Sequence, residues 1–560
     1  MRRVVLLLLI SLSSPARADK AVLLYNGRIL VDASAAPATR FAGAALVQDG
    51  RFLAVGTLAA IDQVARDRQL WPKRIDLHKG FAVPALTDAH GHIESLGFSL
   101  QRLRLAGTKS AEAIAAMVDE RAKKEAAGEW ILGRGWDQND WPVQKFPTRD
   151  VLDKVSGDHP VWLRRVDGHA AWANSKALEL AGVTKATLDP PGGRIERASD
   201  GTPAGVLVDN AMELVEAKVP APTREQRRQA IALALKRCAE LGLTAVHDAG
   251  IDPEEVSIYR EMAEKGELPV RVFAMLAAGA ALAPDALPAE KPAAGDGMFR
   301  LFAVKAYADG ALGSRGAALL APYSDDPGNT GLLRTTPDTL ELLARACLEH
   351  GYQMCVHAIG DRANRIVLDA FEHAAKAGAK PVDLRERRFR IEHAQVLAPE
   401  DLPRFSDLGV IASMQPTHCT SDMPWAPTRL GSARIEGAYA WRKLLDSGAR
   451  LALGSDFPVE DPNPLLGVYA AVTTQDLKGK PKDGYRPSQK LTIWEALRGF
   501  TSDAAYAAFA EGELGLAEPG YRADLAVFNH DFTAILPHEI PNVRCTMTMV
   551  GGAIVWNGGH

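Results

Sequence analysis

Five stretches of this sequence hold side chains of the kind that bind metal ions. Thr87-Asp88-Ala89-His90-Gly91-His92 sets two histidines at i and i+2, and on an extended chain both point to the same side. His357 and His393 each end an apolar run, Ser455-Asp456 follows another, and Lys305 lies within Phe302-Ala303-Val304-Lys305-Ala306-Tyr307. Four imidazoles and a carboxylate suit a divalent ion such as zinc, because neutral imidazole donates a lone pair and the carboxylate adds charge. Such an ion brings the pKa of a bound water to about 7, which yields hydroxide at neutral pH. The chemistry implied is attack of hydroxide on a carbonyl.

These residues are far apart in the chain, so the fold must gather them. Eight short apolar runs are candidate strands: Phe81–Leu86, Thr244–His247, Val270–Leu276, Leu301–Tyr307, Gln353–His357, Phe389–His393, Val410–Met414 and Leu451–Gly454. Amphipathic helices alternate with them, punctuated by Thr223 with Gln226, by Thr336 before Pro337, and by Thr492 with Glu495. Alternating βα units imply a parallel sheet, and eight of them closing on themselves make an α/β fold of the (β/α)8 TIM-barrel type. An open doubly wound sheet is the main alternative, weakened because no glycine-rich phosphate loop follows the first run. In a barrel the C-terminal strand ends meet at one rim. All the candidate ligands except Lys305 fall at or just past such an end.

About 150 residues separate the first two runs, far more than a βα connection needs. The stretch from about 97 to 220 is therefore read as an insertion over the barrel mouth, with Gly133-Arg134-Gly135-Trp136-Asp137 and Asp167-Gly168-His169 as its notable segments. The chain ends read as β-rich, with hairpin signals at Asn26-Gly27, Asp49-Gly50 and Gly551-Gly552. The expected organisation is a small composite β-sandwich from residues 21–80 and 513–560 around a barrel of residues 81–512.

The first residues call for separate treatment. Arg2 and Arg3, an apolar run from Val4 to Ile10, and Ala16-Arg17-Ala18 match a secretory signal peptide cleaved after Ala18. The run is too short to span a bilayer. The mature chain is thus expected in the periplasm or secreted, with no stable membrane anchor. The full chain of 560 residues has 47% hydrophobic and 24% charged residues and a net charge of −4. That composition excludes a disordered chain and a multi-span membrane protein, and no basic stripe supports nucleic-acid binding. The five cysteines form no C-x-x-C pair, which argues against a disulfide framework or a thiolate zinc site.

Asp88-Ala89-His90-Gly91-His92, Lys305, Ile391-Glu392-His393-Ala394 and Gly454-Ser455-Asp456-Phe457-Pro458 together resemble the amidohydrolase superfamily, and more narrowly its amidohydrolase-3 branch. Asp309-Gly310-Ala311-Leu312-Gly313-Ser314-Arg315, His357-Ala358-Ile359-Gly360-Asp361 and Gln415-Pro416-Thr417-His418 are similar to that branch as well. The resemblance implies two zinc ions. His90, His92 and Asp456 would hold one, His357 and His393 the other, and a Lys305 carboxylated by carbon dioxide would bridge them. A lysine ammonium has no lone pair to offer a metal, whereas a carbamate is a two-oxygen anion. The resemblance also implies hydrolysis of a non-peptide C–N bond in a small molecule, an N-substituted amide above all, with Asp456 moving the proton. Two positions depart from the family's usual text. Ala85 stands where glycine is more usual, and Gly91 where a bulkier residue is.

Trp136, His169, Arg315 and His418 are substrate-contact candidates, Arg315 for a substrate carboxylate; His247 and Trp425 are secondary ones. Ester or lactone hydrolysis and deamination use the same type of site. A periplasmic metal- or ligand-binding protein without catalysis is the rival from another class. Oligomeric state is left open, a homo-oligomer included.

Overall fold

The polar segment Thr87–Gly91 is the first of eight parallel strands. In a computed structural model that describes residues 21–138, 141–165, 170–190, 193–278, 287, 291–377 and 380–559, these strands are β1 (Thr87–Gly91), β2 (Ala245–Ile251), β3 (Arg271–Ala277), β4 (Phe299–Tyr307), β5 (Gln353–Ala358), β6 (Arg390–His393), β7 (Ile411–Met414) and β8 (Leu451–Leu453). They pair in chain order. The ring closes where Gly91 bridges Phe457, with His92 N donating to Phe457 O at 2.8 Å and Asp456 N to His90 O at 2.7 Å. The result is a (β/α)8 barrel.

The first apolar run is not part of it. Phe81–Pro84 pairs with Arg28–Leu30 and with Leu525–Phe528 in a sheet built from the two ends of the chain. The break comes at Ala85, whose φ of 44° lies in the left-handed region, which explains why glycine would be at ease there. Apolarity alone favoured Phe81–Leu86 over the polar Thr87–Gly91, yet it is the polar strand that pairs with β2 in the barrel.

The ends form two sheets. One has four strands (Arg51–Gly56, Ala44–Gln48, Ala21–Tyr25, Lys73–Asp76); the other has six, including Cys545–Val550 and Ala553–Asn557. Val22, Leu24, Val47 and Phe52 pack with Ile29, Ala82, Leu525, Val527 and Met549 in one apolar cluster between them. The hairpins at Asp49-Gly50 and Gly551-Gly552 are present. The one expected at Asn26-Gly27 is not: Ala21–Tyr25 and Arg28–Leu30 belong to different sheets. Gly27 is needed there because a Cβ would sit 2.7 Å from the Cβ of Leu77.

Residues 94–230 make a separate compact unit. Its six-stranded sheet carries an apolar layer on each face, one around Trp136, Trp141 and Trp172, the other around Trp162, Ala177 and Leu207. The expected signal peptide and His169 lie outside the described residues. All five cysteines are free thiols.

Within the barrel unit, Arg271 on β3 and Asp524 beside the C-terminal sheet form a buried two-point ion pair, Nε to Oδ2 at 2.6 Å and Nη2 to Oδ1 at 2.9 Å. Gly551 N donates to the same carboxylate at 2.7 Å. Removing one partner of such a pair leaves a buried, uncompensated charge. Asp524→Ala is expected to lower stability by about 3–5 kcal/mol in chemical denaturation. A paired Arg271→Met/Asp524→Leu replacement should recover much of that loss.

Candidate metal centre

The H-x-H pair takes its position from the residue before it. Asp88 is buried at the barrel wall and accepts from His90 N at 3.0 Å, Ser455 N at 3.1 Å and Ser455 Oγ at 2.6 Å. One carboxylate thereby fastens β1 to the segment after β8 and brings Asp456 against both histidines. Asp456 Oδ1 lies 3.1 Å from His92 Nε2 and 3.6 Å from His90 Nε2. Two glycines permit this closeness. A Cβ on Gly91 would meet the Phe457 ring at 2.5 Å, and one on Gly454 would meet Asp88 Oδ1 at 2.5 Å. The glycine inside H-x-H therefore reflects the packing of Phe457.

His90 is oriented from behind. Its Nδ1 donates to Glu392 Oε2 at 2.5 Å, which leaves the Nε2 lone pair facing Lys305 Nζ at 3.2 Å. Glu392 is fully buried on β6 and is met by Arg390, whose guanidinium also reaches Ala89 O, Ser413 Oγ and His247 Nδ1. His393 Nδ1 donates to Gln415 Oε1 at 2.8 Å, so its Nε2 is likewise the free nitrogen. The His393 ring lies 4.9 Å from His90, 4.6 Å from His357 and 5.9 Å from His418, centroid to centroid. His357 Nε2 is 3.5 Å from Asp309 Oδ1, and Asp309 in turn accepts from the backbone of Ala318, Ile359 and Gly360.

All six expected ligands line one cavity of about 390 Å³. Its electrostatics favour lone-pair donors. Burial, with Lys305 adding to it, pushes the His90 imidazole down to about 4, and burial takes His357 to about 3. Burial also holds His393 well below its ordinary value and lowers the Lys305 ammonium. Burial alone would raise the Asp456 carboxyl, but the His92 hydrogen bond and the surrounding imidazoles outweigh it and hold the group ionised. The donor set suits a divalent cation. His90, His92 and Asp456 have ligand atoms within 4.8 Å of one another, as do His393, His418 and Asp456. His357 Nε2 and His418 Nε2 are buried without a hydrogen-bond partner, as lone pairs reserved for an ion would be. Backbone strain collects here too: His393 (φ 71°), Ala394 (φ 41°) and Asp456 (φ 61°) are left-handed.

The substrate-contact candidates divide. His418 enters the cavity, its Nε2 3.7 Å from Asp456 Oδ2, and Trp425 lines it. Trp136 does not have the expected role. It is fully buried in the core of the 94–230 unit against Trp141 and Trp172, with Nε1 donating to Leu163 O. Arg315 is also corrected, since its guanidinium is occupied by Asp325 at 2.9 and 3.2 Å. His247 serves Arg390. Residue type and spacing did not single out Asp88, Asp309, Arg390, Glu392 or Gln415. The available signal was charge inside an apolar strand: Phe389-Arg390-Ile391-Glu392 alternates buried ionisable and apolar residues.

Residues 73–556 match the family model described as "Amidohydrolase family". This chain belongs to the amidohydrolase family. It is 36% identical over 532 residues to "Protein LONG AFTER FAR-RED 3" of Arabidopsis thaliana, covering 93% of this chain and 89% of that protein. It is 26% identical over 534 residues to "N-substituted formamide deformylase" of Arthrobacter pascens, covering 92% and 94%. Among solved structures it is similar to an uncharacterized metal-dependent hydrolase from Pyrococcus furiosus, with TM-score 0.75, 29% identity and coverage of 92% of this chain and 100% of that one. The protein is a metal-dependent amidohydrolase, a hydrolase acting on carbon–nitrogen bonds.

Glu392 sets the tautomer of His90, and partners of this kind tune ligand basicity. Glu392→Gln is expected to weaken metal binding about 10–100-fold in a chelator competition titration.

Proposed function

We propose that this amidohydrolase cleaves the C–N bond of an N-substituted amide in a small molecule, with two zinc ions and a carboxylated Lys305. The observation that carries this reading is the convergence of His90, His92, Lys305, His357, His393 and Asp456 on one cavity. The relative whose printed name is N-substituted formamide deformylase supports the substrate class. His90, His92 and Asp456 would hold one ion, His357 and His393 the other. Lys305 would be shared by both once its amine has added carbon dioxide and lost a proton. Among the described residues, its Nζ has one hydrogen-bonding contact, His90 Nε2, and no carboxylate partner. Burial lowers the proton affinity of that amine, which favours the neutral form that adds carbon dioxide.

When bound, divalent ions would polarise the amide carbonyl and acidify water, which supplies the nucleophile at neutral pH. The chain's own residues do the rest. The Asp456 carboxylate takes the proton from the attacking water and delivers it to the leaving nitrogen. In this structure the His92 hydrogen bond to Oδ1 holds that carboxylate ionised and oriented; with an ion bound, the same imidazole would serve as a ligand and the ion's charge would take over that task. Glu392 and Gln415 fix the His90 and His393 rings with their lone pairs inward. The same proposal places the mature chain in the periplasm or outside the cell, on the strength of Arg2-Arg3, the run from Val4 to Ile10 and Ala16-Arg17-Ala18.

The test is a panel of N-formyl and N-acyl amines, with esters and lactones alongside, offered to the zinc-loaded mature protein with and without chelator. Chelator-sensitive release of amine supports the reading. Turnover of esters alone, or bound metal with no turnover, overturns it. Asp456→Asn is expected to lower kcat by about 10²–10⁴-fold while most of the metal stays bound. Substantial retained turnover would remove Asp456 from proton transfer.

A further inference from the structure

The sheet of the 94–230 unit carries a row of cations that its own packing does not explain. Arg104, Arg134 and Arg164 are in-register neighbours on three parallel strands, Leu103–Arg104, Ile131–Trp136 and Val161–Arg165. In-register residues point to the same side of a sheet, and adjacent strands are about 4.8 Å apart. Like charges directly opposite one another destabilise the pairing. Glu216 lies 2.8 Å from Arg164 Nε. Among the described residues, Arg102, Arg104 and Arg134 have no carboxylate partner. Arg102 feels both Arg134 and Arg164, which, after burial, lower its proton affinity.

Arg102 also lines a cavity of about 300 Å³ that lies wholly within this unit. Phe98, Trp130, Leu132 and Val219 supply its apolar wall. Trp130 and Leu132 also edge the apolar layer on the sheet face that carries Trp162 and Leu207. Register puts Arg134 and Arg164 on that same face, since Leu132 pairs with Trp162 two residues before them. Two acids line the cavity as well. Glu125 is answered by Arg121 at 2.8 Å, and Glu129 is the other.

We propose that this cavity is a binding site for a small amphiphilic carboxylate, whose apolar body packs against Phe98, Trp130, Leu132 and Val219 while its carboxylate is held by Arg102 and the adjoining arginine row. A planar guanidinium suits a carboxylate because it offers two parallel donors. Occupancy would also relieve the mutual repulsion of the row. The site is separate from the metal centre in sequence and in the residues it uses.

Calorimetric titration of the metal-loaded full chain tests this, with octanoate as probe, acetate as the control without an apolar body and octylammonium as the control of opposite charge. Octanoate is expected to bind about tenfold or more tighter than either control. The double variant Arg102→Gln/Arg134→Gln and the single variant Trp130→Ala should each weaken octanoate about tenfold, with metal content unchanged. Glu216→Gln, which removes the competing acid, should tighten it. The melting temperature of Arg134→Gln should match or exceed that of the parent, since a repulsion is removed, which separates lost binding from lost folding. Unchanged octanoate affinity in the double variant, equal binding of acetate, or weaker binding in Glu216→Gln would each overturn the proposal.

Discussion

A buried carboxylate governs the centre. Glu392 has no solvent exposure, and a charge in that position is tolerated only if it is answered. Burial by itself would raise its pKa, but Arg390 and His90 outweigh burial and hold it well below the usual carboxylate range. The bond it accepts from His90 Nδ1 decides which nitrogen of that ring faces the cavity. Arg390 spreads the same constraint outward, to the β1 backbone at Ala89, to Ser413 on β7 and to His247 on β2. Four strands thus converge on one charge network beneath the ligands. Lone pairs are presented to the cavity because protons are committed behind it.

The barrel was largely legible in the sequence because seven of its strands are apolar runs of the ordinary kind, such as Arg271–Ala277 and Gln353–Ala358. The candidate ligands could be picked out because histidines recur at strand ends, and the structure brings them to one cavity. The eighth strand was not, because Thr87–Gly91 carries almost no apolar signal and its pairing is decided by tertiary contacts with β2 and the segment after β8. Asn26-Gly27 misled for a related reason. Local turn preference suits a hairpin, but Ala21–Tyr25 gains a parallel partner in Lys73–Asp76, and the chain crosses to the other sheet. Trp136 illustrates the ambiguity of aromatic residues: a tryptophan in a polar stretch suggested a pocket, and it fills a core. Supporting residues such as Asp88 and Gln415 are hard to read because their roles consist of hydrogen bonds between distant segments.

The cavity of the barrel unit also has an acidic side. Among the described residues no arginine lines it, while Asp422 and Glu460 both contribute to its wall. Asp422 is itself tied down by Gln395 and Tyr439. Acidic side chains and Trp425 thus stand beside the candidate ligands in the wall of this cavity.

The seam of the barrel and the candidate ligand set share residues. His90 and His92 come from one side of the closing bridge between Gly91 and Phe457, and Asp456 from the other. An ion gripped by all three would act as a staple across the junction where the ring is least well hydrogen-bonded. Occupancy would then be felt as cohesion of the whole cylinder, because any partner that binds the closed form alone shifts the opening equilibrium in proportion to its concentration. The catalytic equipment would in this way double as the clasp of the scaffold that carries it.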